Sequence, residues 1–592
     1  MNKNIYVILI LTVIFSSCID LVDPATENIR NENTTYVEPN FGLGLLTNGY
    51  TRIPTNGWSF NDVATDDAVT NDISNGFLKL ATGQWTAANN AAERWTSCLT
   101  GIQYMNIMIS NVGKMKFSED TTANKLFKDR IKGEAFGLRA LFMYNLLQSH
   151  AGWASGKLLG FPLFLTELTS TSDFNLPRAS FNACTAQIYS DLDSAIIRLP
   201  LDYVDITSSA GIPSRYASAG ITDFGIYNRC MGVKFLGLVS GRVAKVIRSQ
   251  VALLAASPAF ANGTADGSNG IWEDAAVYAA QILNDNNKVA GLAANGLTWY
   301  TNATEITGLT AGKTPPEVVW RGGTSNNNDL ERDNFPPTLY GSGRINPTQN
   351  LVDAFPTVTG YPITDASSGY VSTNPYANRD PRLKTFILMH GEKAGVPNVA
   401  INIETGNDAV NKTSTSTRTG YYMKKLLRQD VNYNPTGRNT QFHYKPRMRY
   451  TEVYLNYAEA ANEAWGPLAD PKGYGYSAYD VIKAIRFRAL KLATDAYLES
   501  IKNDQAAMRQ LIRNERRLEL CFEGFRFWDL RRWKVALSEL SAPAMGITVT
   551  GGVVSSPVTV ENRLYQDYMY YGPIPYIETV KFSNLLQNDN WN

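Results

Sequence analysis

Apolar residues recur along this chain at the spacing of helix faces. Between Arg449 and Trp465, the residues Tyr450, Val453, Tyr454, Tyr457, Ala458 and Ala461 stand at i, i+3, i+4, i+7, i+8 and i+11, one continuous stripe. Ala458, Ala460, Ala461 and Ala464 leave room there for a second helix to come close. In Ile131–Leu147, one face is held by Ile131, Ala135, Leu138, Phe142 and Leu146. Asn89–Val112 carries Trp95, Ile102 and Met105/Asn106 every turn or two. The pattern further predicts helices over Phe181–Leu199, Lys234–Ser257, Glu273–Leu283, Tyr479–Leu490 and Gln505–Phe522. Between them run long segments rich in Gly, Asn, Thr, Ser and aromatics: Thr47–Thr86, Leu201–Asn228, Ala261–Ile271, Asn286–Pro316, Gly322–Thr348 and Tyr361–Asn378. Val396–Arg418 is similar but lacks aromatics. Loops this long are functional or disordered, and the composition of Asn334–Tyr340 with Tyr361 favours order.

The stretch Ile512–Lys534, IRNERRLELCFEGFRFWDLRRWK, packs charges and large aromatics together. Read as a helix, it sets Leu511, Leu518, Cys521, Phe522 and Phe525 on one apolar face. Glu515, Glu519 and Glu523 form a second line, and Arg509, Arg513 and Arg517 a third. Such lines pair with each other or across to other helices. Gly524 offers a helix break, and Phe527, Trp528 and Trp533 add surface to bury. Arginine–carboxylate pairs among aromatics point to a partly buried structural network rather than to catalysis.

This run closely resembles the C-terminal signature of the SusD/RagB family. The resemblance extends to Trp95–Asn106, to Gly133-Glu134-Ala135 with Leu138-Arg139-Ala140-Leu141, and to Tyr450–Glu463, YTEVYLNYAEAANE. It reaches the end of the chain at Pro573-Ile574-Pro575, Glu578, Gln587-Asn588 and Trp591. It implies a mainly α, SusD-like fold in which four tetratricopeptide-like helical hairpins form a scaffold, with long irregular loops and minor β structure. No repeat of about 34 residues is visible in the sequence itself. Residues 38–592 are expected to form a single SusD-like domain, with an N-terminal part over about 38–230 and a C-terminal part over about 231–592. Members of this family are surface lipoproteins that capture nutrients and act as the lid of a SusC-like, TonB-dependent barrel transporter, their helical face packed on it.

The N-terminus fits that implication. Lys3 precedes an apolar run, Ile5–Phe15, too short for the ~20 residues of a membrane-spanning helix. It ends Phe15-Ser16-Ser17-Cys18, which resembles a bacterial lipobox, with Phe where Leu is usual. Residues 1–17 are therefore expected to be a lipoprotein signal peptide, Cys18 the lipidated residue, and 18–37 a polar tether. Several acyl chains, at ~0.8 kcal/mol per buried CH₂, make a stable anchor.

Composition narrows the chemistry. A net charge of +1 with 18% charged residues gives no sign of a nucleic-acid partner. The three histidines, His150, His390 and His443, lie far apart, and neither HExxH nor GxSxG occurs. Gly308–Thr314 imitates a phosphate loop but is one residue short and is followed by Pro315-Pro316. Asp66-Asp67 and Asp72 lack EF-hand spacing and read as polar loop residues. Cys98, Cys184, Cys230 and Cys521 form no CxxC, and no disulfide pair is selected by spacing. No metal, cofactor or catalytic residue is expected, although paired carboxylates of a glycosidase are set by distance in space, which sequence does not give.

What remains is recognition. Sugar C–H faces lie on aromatic rings, and their hydroxyls need amide or carboxylate partners. Loop aromatics beside such groups are Trp58 near Asn56 and Asn61, Trp85 near Asn89 and Asn90, Trp299-Tyr300, and Tyr340 before Gly341-Ser342-Gly343. For each, packing beneath a loop is the competing explanation; the expectation is that at least one contacts ligand. Trp153 and Trp320 read as core. The reading is an oligosaccharide-binding outer-membrane lipoprotein serving a transporter. Peptide cargo on the same architecture is the alternative, and a surface glycosidase is the rival class.

Overall fold

The computed structural model describes residues 38–54, 60–309 and 313–591. Cys18, the segments 1–17 and 18–37, and Trp58 lie outside these, as do residues 310–312 of the phosphate-loop imitation. The longer helices from Trp95 onward form where apolar stripes predict them, whereas Pro39–Thr51 and Asp329–Asn334 are helices that no stripe predicted, the latter inside a segment expected to be a loop. In chain order the main ones are α1 (Pro39–Thr51), α2 (Trp95–Asn111), α3 (Thr121–His150), α4 (Phe181–Ile196), α5 (Gly241–Ala256), α6 (Trp272–Asn284), α7 (Asp329–Asn334), α8 (Tyr450–Trp465), α9 (Ala478–Leu490), α10 (Gln505–Leu520) and α11 (Arg526–Arg532). Each of α1 to α5 packs on the next, and α6 packs on α8, which also meets α9 and α10. This succession of neighbouring helices is the scaffold.

Local chemistry sets the ends. Asp120 caps α3 by accepting the Ala123 N–H, and Ser477 and Asp480 form a reciprocal capping box on α9. Small residues set the spacing: a Cβ on Gly101 of α2 would lie 2.6 Å from the Phe142 ring of α3. Ala458, Ala460 and Ala461 of α8 are fully buried, as the small-residue pattern requires.

Among the described residues the strands are mostly short and lie in two-stranded antiparallel ribbons. Those that matter here are β1 (Ala68–Thr70), β2 (Val318–Asn327), β3 (Ile345–Pro347) and β4 (Gln441–Arg449). β1 pairs with β3, and β2 pairs with β4 in the register His443↔Ser325 and Met448↔Trp320. The loops are held by a core of their own, built on Trp299, Phe355, Phe386, Tyr421, Tyr422 and Phe522. Burial of these rings orders long segments that have little regular backbone structure.

The C-terminal signature is the junction of the two cores. Arg382 is fully buried among Asp380, Glu515 and Glu519, at 2.7, 2.8 and 2.9 Å. Arg486 and Arg488 join from α9, and Arg449 and Lys425 bind Glu523. Thus the Glu line pairs across to other elements, not with the neighbouring Arg line. Arg509 instead meets Glu463, Arg517 meets Asp66 and Asp67, and Arg513 lies over Trp533. The predicted helix also ends early. α10 stops at Leu520, and Phe522 adopts a left-handed φ of 62° before Gly524 does at 80°. The four cysteines Cys98, Cys184, Cys230 and Cys521 are free and buried.

Candidate functional site

On the loop side, the β2–β4 ribbon and α7 enclose a cavity of about 320 Å³. The ribbon brings Ser325 and Asn327 opposite His443 and Gln441. The turn after Asn327 leads directly into α7, which contributes Asp329, Asp333 and Asn334 to the wall. Leu330, Ile345, Met423, Leu426 and Phe522 supply an apolar floor. His443 is fixed at both ring nitrogens: Nδ1 faces the Gln441 carbonyl at 2.9 Å, and Nε2 faces Glu331 Oε1 at 3.0 Å. Glu331 also accepts the Arg428 N–H at 2.7 Å, so the wall is rigid. Asp329 and Asp333 are partly exposed and share Arg332. Near this guanidinium, Tyr433 carries the Arg438 guanidinium over its ring at 4.1 Å. An apolar floor edged by carboxylates, amides and a ring is the composition of a site for a neutral, hydroxyl-rich ligand.

Tyr340 belongs to the same neighbourhood. Its ring is half exposed, at 52%, on a backbone with φ 65°. The loop after it is latched to α7, since the N–H groups of Ser342 and Arg344 donate to the carbonyls of Arg332 and Asp333 at 2.8 and 2.9 Å. Gly341 permits this approach, because a Cβ there would meet the Phe335 carbonyl oxygen at 2.2 Å. Asn89 is exposed, with its side-chain amide donating to Gln84 O at 3.0 Å across a tight turn.

The other expected aromatics are elsewhere. Trp85, Trp299 and Tyr300 are buried, at 3%, 1% and 6% exposure, so none offers a free face to a sugar. Trp299 packs between Tyr300 and Tyr444, with centroids 5.4 and 5.6 Å away. Burial pushes the Tyr300 hydroxyl pKa far up. Trp85 fills the helical core and donates its indole N–H to Asn90 at 3.0 Å. These three are corrected to core residues. Asp66 and Asp67 are taken up by Arg517 and Arg526, and Asp72 bonds Ser74.

The residues that line the cavity were not singled out in advance. A signal was present in the density of amides and carboxylates at Ser325–Asn334, SNNNDLERDN. His443 carried none, because its partner Glu331 is remote in sequence.

Comparison with known proteins bears on this arrangement. Residues 316–591 match the family model described as the SusD family, and residues 43–221 match one described as starch-binding associating with outer membrane. SusD-like protein P25 of Formosa agariphila is 34% identical over 119 residues, 20% of each chain. SusD-like protein P2 of the same organism is 32% identical over 155 residues, 26% of each. The matched stretches thus span about a fifth to a quarter of these relatives' length. A SusD-like protein from Bacteroides fragilis superposes with a TM-score of 0.70 at 22% identity, covering 96% of this chain and 100% of its own. A SusD-like carbohydrate binding protein from that organism gives 0.65 at 20% identity, over 93% of this chain and 99% of its own. A laminarin binding SusD-like protein gives 0.53 at 18%, over 93% and 98%. These likenesses establish the fold.

Proposed function

The chain belongs to the SusD/RagB family, and from that premise we propose that it is a cell-surface glycan-binding lipoprotein. It captures an oligosaccharide in the loop-side cavity and delivers it to a SusC-like, TonB-dependent transporter whose lid it forms. The observation that carries the reading is the cavity itself, where Asn327, Asp329, Asp333 and His443 stand around an apolar floor. Hydroxyls bond Asn327, Asp329 and Asp333, His443 holds the wall, and sugar C–H faces rest on the apolar floor. Tyr340 and Tyr433 are the proposed stacking rings near the cavity, and Asn89 and Trp58 stay as separate candidate contacts from the sequence. Two structural relatives described as carbohydrate binding and laminarin binding support the ligand class. Binding without catalysis is supported by the signature carboxylates Glu515, Glu519 and Glu523, each paired with buried cations.

The test is titration calorimetry against panels of oligosaccharides and peptides. A glycan should bind, and Asp333→Ala or Asn327→Ala should weaken it about tenfold, the loss of one good hydrogen bond. Recovery of the glycan intact after incubation is also expected. Binding of peptides alone would replace the ligand class, and loss of intact oligosaccharide would replace binder with hydrolase.

A further inference from the structure

A second cleft opens at the other end of the β2–β4 ribbon, where Trp320 and Met448 pair. Its volume is about 70 Å³. One water needs ~10–15 Å³ by this measure, so the cleft has room for roughly five small atoms. Glu452 and Asn456 stand one turn apart on α8, and Trp528 comes from α11. All three are more than nine-tenths buried. Glu452 Oε1 accepts from Gln250 at 2.7 Å, and Asn456 Oδ1 accepts from Arg516 at 2.7 Å. Yet Glu452 Oε2, Asn456 Nδ2 and Trp528 Nε1 have no protein partner.

Buried polar atoms are rarely left unbonded. Here one acceptor and two donors line a single cleft. Of the charged groups in the lining, Arg516, Asp529 and Arg532 are paired within the protein, and the Arg447 guanidinium lies over the Trp320 ring at 4.6 Å. Ile53, Leu141 and Phe525 add apolar contact at the same wall. A hydroxyl group both donates and accepts at one oxygen, which fits this mixed set.

We propose that this cleft is a second binding site, for a vicinal diol, supplied by a small free polyol or by the terminal hydroxyls of a saccharide. One hydroxyl donates to Glu452 Oε2 and accepts from Asn456 Nδ2. Its neighbour accepts from Trp528 Nε1. The site does not depend on the loop-side cavity or on what that cavity binds.

The experiment titrates the full chain with glycerol, erythritol and methyl α-glucoside, read by calorimetry and ligand-observed NMR. Glu452→Gln and Asn456→Asp each keep their present protein partner and reverse the polarity of the unpartnered atom. Each should weaken binding about tenfold. The double variant exchanges donor and acceptor, so a diol should regain affinity to within about threefold of wild type. Binding of glycerol or erythritol identifies a free polyol as the source, and binding of the glucoside alone identifies a sugar terminus. Three results overturn the site: no saturable binding of any probe, binding by both single variants as tight as by wild type, or soaked crystals with water only in the cleft. If one single variant does not fold, the other decides. Loss of binding in Asp333→Ala but not in Glu452→Gln would assign hydroxyl recognition to the loop-side cavity, leaving the proposed function standing and this site refuted.

Discussion

Trp85 is enclosed by Trp591, Phe527 and Tyr565, with centroids 5.0, 6.0 and 6.5 Å away, and by the Arg531 guanidinium at 5.1 Å. Among the described residues no carboxylate pairs with Arg531; its charge rests on aromatic faces, and burial pulls its pKa down. Removing the indole therefore opens a cavity and bares a cation. Trp85→Ala should cost about 3–5 kcal/mol in urea unfolding, while the folded fraction keeps its glycan affinity. An unchanged unfolding midpoint with lost binding would restore Trp85 as a platform. Asp62 governs pH dependence in the same region. Burial, and then the charge of Asp67, push its carboxyl up to about 8. The fold thus holds this proton more tightly than the unfolded chain, where the value is about 4. The destabilisation it causes is absent below about pH 4 and grows as pH rises through 8. Asp62→Asn can still accept the Gly524 N–H that Asp62 Oδ2 accepts at 3.1 Å. It should stabilise the protein more at pH 8 than at pH 5, seen as a larger gain in denaturation midpoint. Equal gains at both values would mean that Asp62 is not the titrating group.

At the level of elements, α2 to α6 and α8 to α10 were legible because each carries its own apolar stripe, and α1, α7, the ribbon and the site were not. α8 was placed within one residue, and the early end of α10 was missed because Leu518, Cys521 and Phe522 are buried in the loop-side core rather than continuing a helix face. β4 holds Pro446 within a strand, which argues against strand from sequence alone. Its partner β2 lies more than a hundred residues away, and the loop-side cavity exists only once the two pair. The charged lines of α10 were legible as a network, though not their partners. Burial pushes the Glu515 pKa up, but Arg382 and Arg486 outweigh it and hold the carboxyl below its ordinary range. Arg382→Met would leave Asp380, Glu515 and Glu519 facing each other with one cation fewer. Breaking a buried pair from one side costs about 3–5 kcal/mol, so the variant should unfold at clearly lower denaturant or fail to accumulate. A loss below about 1 kcal/mol would show that solvent reaches these carboxylates.

For the whole molecule, the question is how a binder on one side of a membrane serves the cell. No helix among the described residues is long and apolar enough to cross a bilayer. Attachment is proposed to be through lipid on Cys18, so Cys18→Ala should shift the protein from the outer-membrane fraction to the soluble one or leave its signal uncleaved. Palmitate labelling of that variant would overturn the assignment. Attachment does not move cargo, and the proposed partner is a TonB-dependent barrel beneath the lid. The architecture offers two faces for the two tasks. The loop-side core carries the cavity, and the successive helices α1 to α6 form a scaffold that needs no ligand to hold its shape. A lid must stay attached through many openings, which calls for a permanent interface of more than ~2,000 Å² in total. The scaffold, rather than the glycan-facing loops, should supply much of it, since an interface across the cavity would close the ligand's entrance. Tagged protein drawn from its native outer membrane in mild detergent should bring down a barrel protein near one-to-one. Loop variants such as Asp333→Ala should lose glycan but retain the barrel. Recovery of the lipoprotein alone would remove the lid and leave a free-standing surface binder; loss of the barrel in Asp333→Ala would place the transporter on the loop face instead.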